Sequence, residues 1–284
     1  MTKAALIGLA AALSVAASSC GGEDQADTAA TEPGIHHVHG LGIDPADGDL
    51  YAATHYGLFR VPTDGEAQRV GDSFQDTMGF TVVGPGRFLG SGHPDLQDPE
   101  LPPLLGLIES GNGGRTWEPI SLLGEADFHA LVFRHGLVYG YDATNERFMV
   151  SADHQSWETR SQPPSVVSFA VDPENAERVL AATSSGLLAS DDGGRTWDPV
   201  SAPPLAFLSW ADDGSLAAAG ADETIYVSSD GGLNWAATGR LPGLPEALLA
   251  IDGRTMIAAV QERGLYDSTD GGRSWHLRYR DEPT

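Results

Sequence analysis

Five of the nine histidines in this 284-residue chain sit in short segments rich in metal-binding side chains. His37 and His39 lie two apart in His-Val-His-Gly-Leu. His55 stands in Thr-His-Tyr-Gly, His93 precedes Asp95 in Gly-His-Pro-Asp, and His129 follows a phenylalanine. Residues two apart on a strand share a face, so His37 and His39 can act together. Met78 adds a thioether, and Tyr141 with Asp142 adds a phenol and a carboxylate. Imidazole with thioether suits copper, whereas imidazole with carboxylate suits zinc or iron. Grouped histidines inside a packed fold are costly unless each finds a partner. That partner can be a metal ion, a small polar ligand, or the backbone and water of a channel.

The elements that must position these residues are repeats. Ser-x-Asp-x-Gly-x-Thr/Ser-Trp occurs four times, from Ser110, Ser190, Ser228 and Ser268 to Trp117, Trp197, Trp235 and Trp275. Its third position is Asn112, Asp192, Asp230 and Asp270, and a worn copy ends at Trp157. A period of about 40 residues means repeated supersecondary units. The Asx side chain and the following glycine make a hairpin turn, and the tryptophan opens the returning strand as an apolar plug. These turns lack the ligand row and distal Glu of a calcium-binding helix–loop–helix.

The motif resembles the Asp box, or BNR repeat, of sialidases and related β-propellers, where it occupies the outer C–D hairpin of a blade. Six units follow: 35–71, 77–122 with an insertion at His93–Pro103, 126–161, 165–201, 204–241 and 246–280. Each reads as a four-stranded meander A–B–C–D, and proline pairs such as Pro163-Pro164 fall between units. The expected fold is all-β: a six-bladed β-propeller of four-stranded antiparallel blades with Asp-box hairpins, its edges removed by closure of the ring.

In that frame the D–A and B–C connections share an upper face, opposite the Asp boxes. Alignment of the A strands puts His39, Met78, His129, Val167, Ala206 and Ala247 at one level. The B strands end on His55, on His93 with Asp95, and on Tyr141-Asp142. The expected site is therefore the upper axis of blades one to three. His37, His39, His55, Met78, His93 and His129 are its candidate copper or zinc ligands, and Asp95, Tyr141 and Asp142 its candidate ligand-binding residues.

The same resemblance offers glycoside hydrolysis, with Tyr141 and Asp142 or Asp95 as catalytic candidates on a carbohydrate ligand. A sialidase also needs three arginines on the substrate carboxylate. Its Arg-Ile-Pro opening is replaced here by the His37–His39 segment, and only Arg147, Arg240 and Arg263 fall near the upper loops. Across nearly the whole mature chain the sequence is similar to bacterial Asp-box propeller lipoproteins, notably of actinobacteria, which share the His-x-His-Gly-Leu, Thr-His-x-Gly and Gly-Ser-Gly-His-Pro-Asp segments and are often labelled glycosyl hydrolases. That likeness implies a shared histidine site without naming a reaction. A protein-interaction platform, as in photosystem assembly propellers, is the third reading.

Residues 1–20 read as a lipoprotein signal peptide. Lys3 precedes an apolar run too short to span a bilayer, and Ala-Ser-Ser-Cys places Cys20, the only cysteine, as the lipidated residue. Residues 21–34 form a polar tether, and 35–284 the propeller. The expected product is an extracytoplasmic, membrane-anchored monomer. A formal charge of −24, with Lys3 the sole lysine, argues against nucleic acid, whose phosphates need a basic surface.

Overall fold

The computed structural model describes residues 34–63 and 65–280. Cys20 and the expected signal peptide lie outside them. The described residues form twenty-four strands, arranged as six four-stranded sheets. Every sheet is built from consecutive antiparallel strands, so each is a blade made of one stretch of chain. The innermost strands are Val38–Ile43, Asp76–Gly84, Phe128–Arg134, Val166–Val171, Leu205–Trp210 and Pro245–Ala250. Each contacts the next, and the first contacts the last. The fold is a six-bladed β-propeller, as its repeats predict.

Short apolar strands with small residues make the second layer of each blade. Leu50–Thr54, Val179–Thr183, Leu216–Gly220 and Met256–Val260 are buried along their whole length. Blades pack face to face, so the core is divided into six apolar clusters, one per seam between neighbouring blades. Five of the seams receive a motif tryptophan, among them Trp157 stacked on Phe128 at 4.7 Å and Trp197 edge-on to Phe148 at 5.3 Å. The seam between blades six and one has none. There Arg278 donates to the Val61 carbonyl at 3.1 Å, and the Val38 N–H donates to Glu246 at 3.2 Å.

The Ser-x-Asp-x-Gly turns have one internal wiring. In the copy at Ser190, the hydroxyl donates to Asp192 at 2.8 Å and accepts the Gly194 N–H at 2.8 Å. Asp192 also accepts the N–H groups of Arg195 and Thr196 and the Thr196 hydroxyl. Gly194 has φ +89°, and a Cβ there would strike Phe148 of the preceding blade, so glycine is required for both backbone and packing. These turns meet the turns between the first and second strands on the face opposite His55 and His93; the Gly193 N–H donates to the Glu177 carbonyl at 2.8 Å.

Hydrogen bonds from Thr196 and Ser190, together with two backbone N–H groups, hold the Asp192 carboxyl well below its ordinary 3.8. A carboxylate with a depressed folded-state pKa stabilises the fold above its unfolded value and loses that contribution as pH falls through the folded value. Asp192→Ala is expected to lower the melting temperature by roughly 2–4 °C at pH 7. The gap to wild type should narrow as the pH is taken from 4 towards 2. Thermal melts across that range check it, and a gap independent of pH would refute it.

Candidate functional site

The upper site is built by a backbone irregularity repeated in every blade. Each innermost strand carries a β-bulge near its start, where one residue has no partner on the second strand. The bulged residues are His39, Met78, His129, Val167, Ala206 and Glu246. A bulge re-aims a side chain and bends its strand. All six line one opening of about 440 Å³ at the upper end of the axis. The sequence alignment identified five of these positions. In blade six it selected Ala247, but the register places Glu246 at the bulge and Ala247 opposite Ala259.

Two further positions recur around the ring. Two residues before the bulge come His37, Asp76, Asp127, Ser165, Pro204 and Leu244. Just beyond the second strand come His55, His93, Ala143, Ser184, Ala221 and Gln261, except that His93 still closes its own strand opposite Asp76. Tyr141 and Asp142 are therefore not the counterparts of His55. They lie inside Leu137–Asp142, paired with Ala130 and Phe128.

These positions bring the histidines together in two groups, each with an acid that the sequence reading missed. In the seam of blades one and two, Asp76 stands between two imidazoles, 3.3 Å from His39 Nε2 and 3.1 Å from His55 Nδ1. In the seam of blades two and three, Asp127 Oδ2 lies 2.8 Å from His129 Nε2 and 3.7 Å from His93 Nε2. Within each group the three donor atoms lie within 4.8 Å of one another. Two donors on one tetrahedral zinc, each bonded at about 2.0–2.1 Å, are about 3.3 Å apart. The observed pairs bracket that value.

Some of these atoms lack hydrogen-bond partners. His39 Nε2, Asp76 Oδ1 and Asp127 Oδ1 are buried and unpaired, although the Asp127 side chain is only 5% exposed. His39 Nε2 and Asp76 Oδ1 are close, yet their geometry is not that of a hydrogen bond. Leaving such a buried group unsatisfied costs about 1–3 kcal/mol, more if charged. The hydrogen bond to Asp127 raises the His129 pKa against the opposing effect of burial.

A supporting layer holds the ligands in place. His93 Nδ1 donates to the Pro103 carbonyl at 2.8 Å, an arrangement that leaves Nε2 as the acceptor facing Asp127. The insertion at His93–Pro103 thus orients the histidine that begins it. Asp95 accepts the N–H groups of Phe74 at 2.7 Å and Gln97 at 2.9 Å, fixing the backbone that leads into Asp76. Asp142, fully buried, accepts the Asp127 N–H at 3.2 Å and is clamped by Arg147 at 2.6 Å. Ser91 accepts the Phe128 N–H at 2.9 Å across the same seam.

Other expected residues fall elsewhere. His37 leaves the histidine groups and sits 3.4 Å from Glu246 across the closing seam. Met78 lines the opening at the bulge between those of His39 and His129. Tyr141 is buried, donating to the Pro163 carbonyl at 3.3 Å. Among the described residues no arginine lines the opening; Arg147 is held by Asp142 and Arg240 by Glu223. Asp76 and Asp127 had a readable signal, since each precedes a candidate ligand by two residues, as His37 precedes His39.

No family model and no curated protein matches the chain. Solved structures do. An ancestral GH74 enzyme and the GH74 xyloglucanase of Xanthomonas campestris each align over 86% of this chain, at TM-score 0.56 and 16% and 19% identity. The chain spans less than half of either, 38% and 45% of their lengths. A putative gluconolactonase aligns over 84% of this chain and 90% of its own, at TM-score 0.66 and 14% identity. At these identities the likeness is one of fold.

Asp142 is thus a support whose removal leaves Arg147 and the Asp127 backbone without their partner. Asp142→Ala is expected to cost about 3–5 kcal/mol in urea unfolding, and Tyr141→Phe only about 1 kcal/mol. An Asp142 variant as stable as wild type would contradict this placement.

Proposed function

We propose that the upper axial opening binds a transition metal ion of the copper or zinc class through the histidines and acids of blades one to three. The observation that supports this best is the set of unpaired donor atoms, His39 Nε2, Asp76 Oδ1 and Asp127 Oδ1, buried within two His-His-Asp groups. Cations held in these two groups would satisfy these atoms, and the acidic chain would favour them electrostatically. The carboxylate in each group favours zinc over cuprous copper. Glycoside hydrolysis has less support. Tyr141, Asp142 and Asp95 are committed to internal hydrogen bonds, and among the described residues no arginine lines the opening.

Protein purified without an affinity tag, stripped with a chelator and reloaded with Cu or Zn, should keep the ion through gel filtration. The His39→Ala/His129→Ala double variant should bind at least about 10-fold more weakly, as loss of ligands or their partners typically costs. A wild-type protein that retains neither ion ends this reading.

The chain is further proposed to reach the cell surface as a lipoprotein anchored through Cys20, on the strength of the Ala-Ser-Ser-Cys segment behind an apolar run. Cys20→Ala should move the protein from the membrane fraction to the medium. Unchanged membrane retention on fractionation would reject the anchor.

A further inference from the structure

The geometry points to two ion sites, one in each of two adjacent blade seams, where the pattern of histidines suggests a single centre. This inference rests on the metal reading above and specifies its stoichiometry and its ligands.

A zinc-class ion holds its nitrogen and oxygen donors at about 2.0–2.2 Å, so any two of them lie within about 4.4 Å. Each His-His-Asp group is close to that condition, with all its donor atoms within 4.8 Å. Among the described residues no qualifying group draws from both seams. One ion therefore cannot take His39, His55, His93 and His129 together as the blades hold them.

His55 follows its second strand and His93 closes the equivalent one, while Asp76 starts and Asp127 immediately precedes the inner strand one blade further on. The same pair of a histidine and an acid is thus delivered twice by the same backbone. The third ligand is a bulged histidine in both cases. It comes from the preceding blade in the first site, as His39, and from the following blade in the second, as His129. The bulge between them carries Met78.

Asp127 keeps an unpaired, buried Oδ1 even though His129 already binds its other oxygen, and Asp76 keeps an unpaired Oδ1 of its own. Each seam therefore has a separate unsatisfied carboxylate oxygen, and one cation in one seam leaves the other unsatisfied. Three protein donors leave a fourth position on a tetrahedral ion. Water or an oxygen-donor ligand entering the opening would take it.

The test is zinc stoichiometry, measured by elemental analysis after chelator stripping, reloading and gel filtration of the tag-free chain. His55 and His93 are the residues to change, because their side chains are 49% and 40% exposed and their loss leaves the packing intact. Wild type should hold two zinc ions per chain, His55→Ala and His93→Ala one each, and the double variant none. Substitution with cobalt gives an independent readout, with each single variant keeping about half of the visible ligand-field absorption. One ion in wild type, lost in either single variant, would overturn the two-site arrangement while leaving metal binding intact. Two ions that persist in the double variant would also overturn it, by moving them to surface carboxylates. No ion in wild type would defeat the metal reading itself.

Discussion

The site depends on one extra residue per inner strand. Without it, the strict alternation of a strand would carry the axial face straight up the innermost strand. The bulge interrupts that alternation at the same level in all six blades and delivers six side chains to one opening. Because the interruption is common to every blade, chemistry can vary around the ring without altering the fold. Blades one to three carry imidazole, thioether and imidazole there, and blades four and five carry valine and alanine.

The seams between blades serve both packing and chemistry. Their interiors are apolar and filled with aromatic and small aliphatic residues, which excludes water from the lower reaches. At their upper ends, acids and histidines from neighbouring blades come within reach of each other. A carboxylate in such a place loses hydration and must gain a partner. Part of the compensation is visible in the supports: Asp95 and Asp142 hold the backbone beneath Asp76 and Asp127, and Arg147 neutralises Asp142. The acids themselves retain unpaired oxygens, which is where ligand affinity would originate.

The conspicuous repeats lie on the other face. Their serine, aspartate and glycine residues are used up in closing each turn, and their tryptophans fill the seams from outside. That wiring explains why so strong a motif carries fold information and little chemistry. The first blade lacks the motif, so the closing seam is held by Arg278 on Val61 and by Glu246 on Val38 and His37. His37 is thereby drawn away from the histidine groups, though its spacing from His39 suggested a shared site.

The blade count, the strand order and the half of the ring that holds the histidines were determined by the sequence alone. Repeat period and alternating apolar residues are local properties, and they survive translation into a ring. The partners of those histidines were decided only by the tertiary structure. Asp76 and Asp127 read as ordinary polar residues ahead of a strand, and Asp142 reads as a ligand at a strand end. Their roles depend on a one-residue register. It keeps Tyr141 and Asp142 inside their strand, exchanges Ala247 for Glu246 at the axis, and sets each acid against the imidazole of the neighbouring blade. The register is set by strand pairing within each blade, and the acid–imidazole contacts by where two blades meet across a seam, which no single stretch of chain encodes.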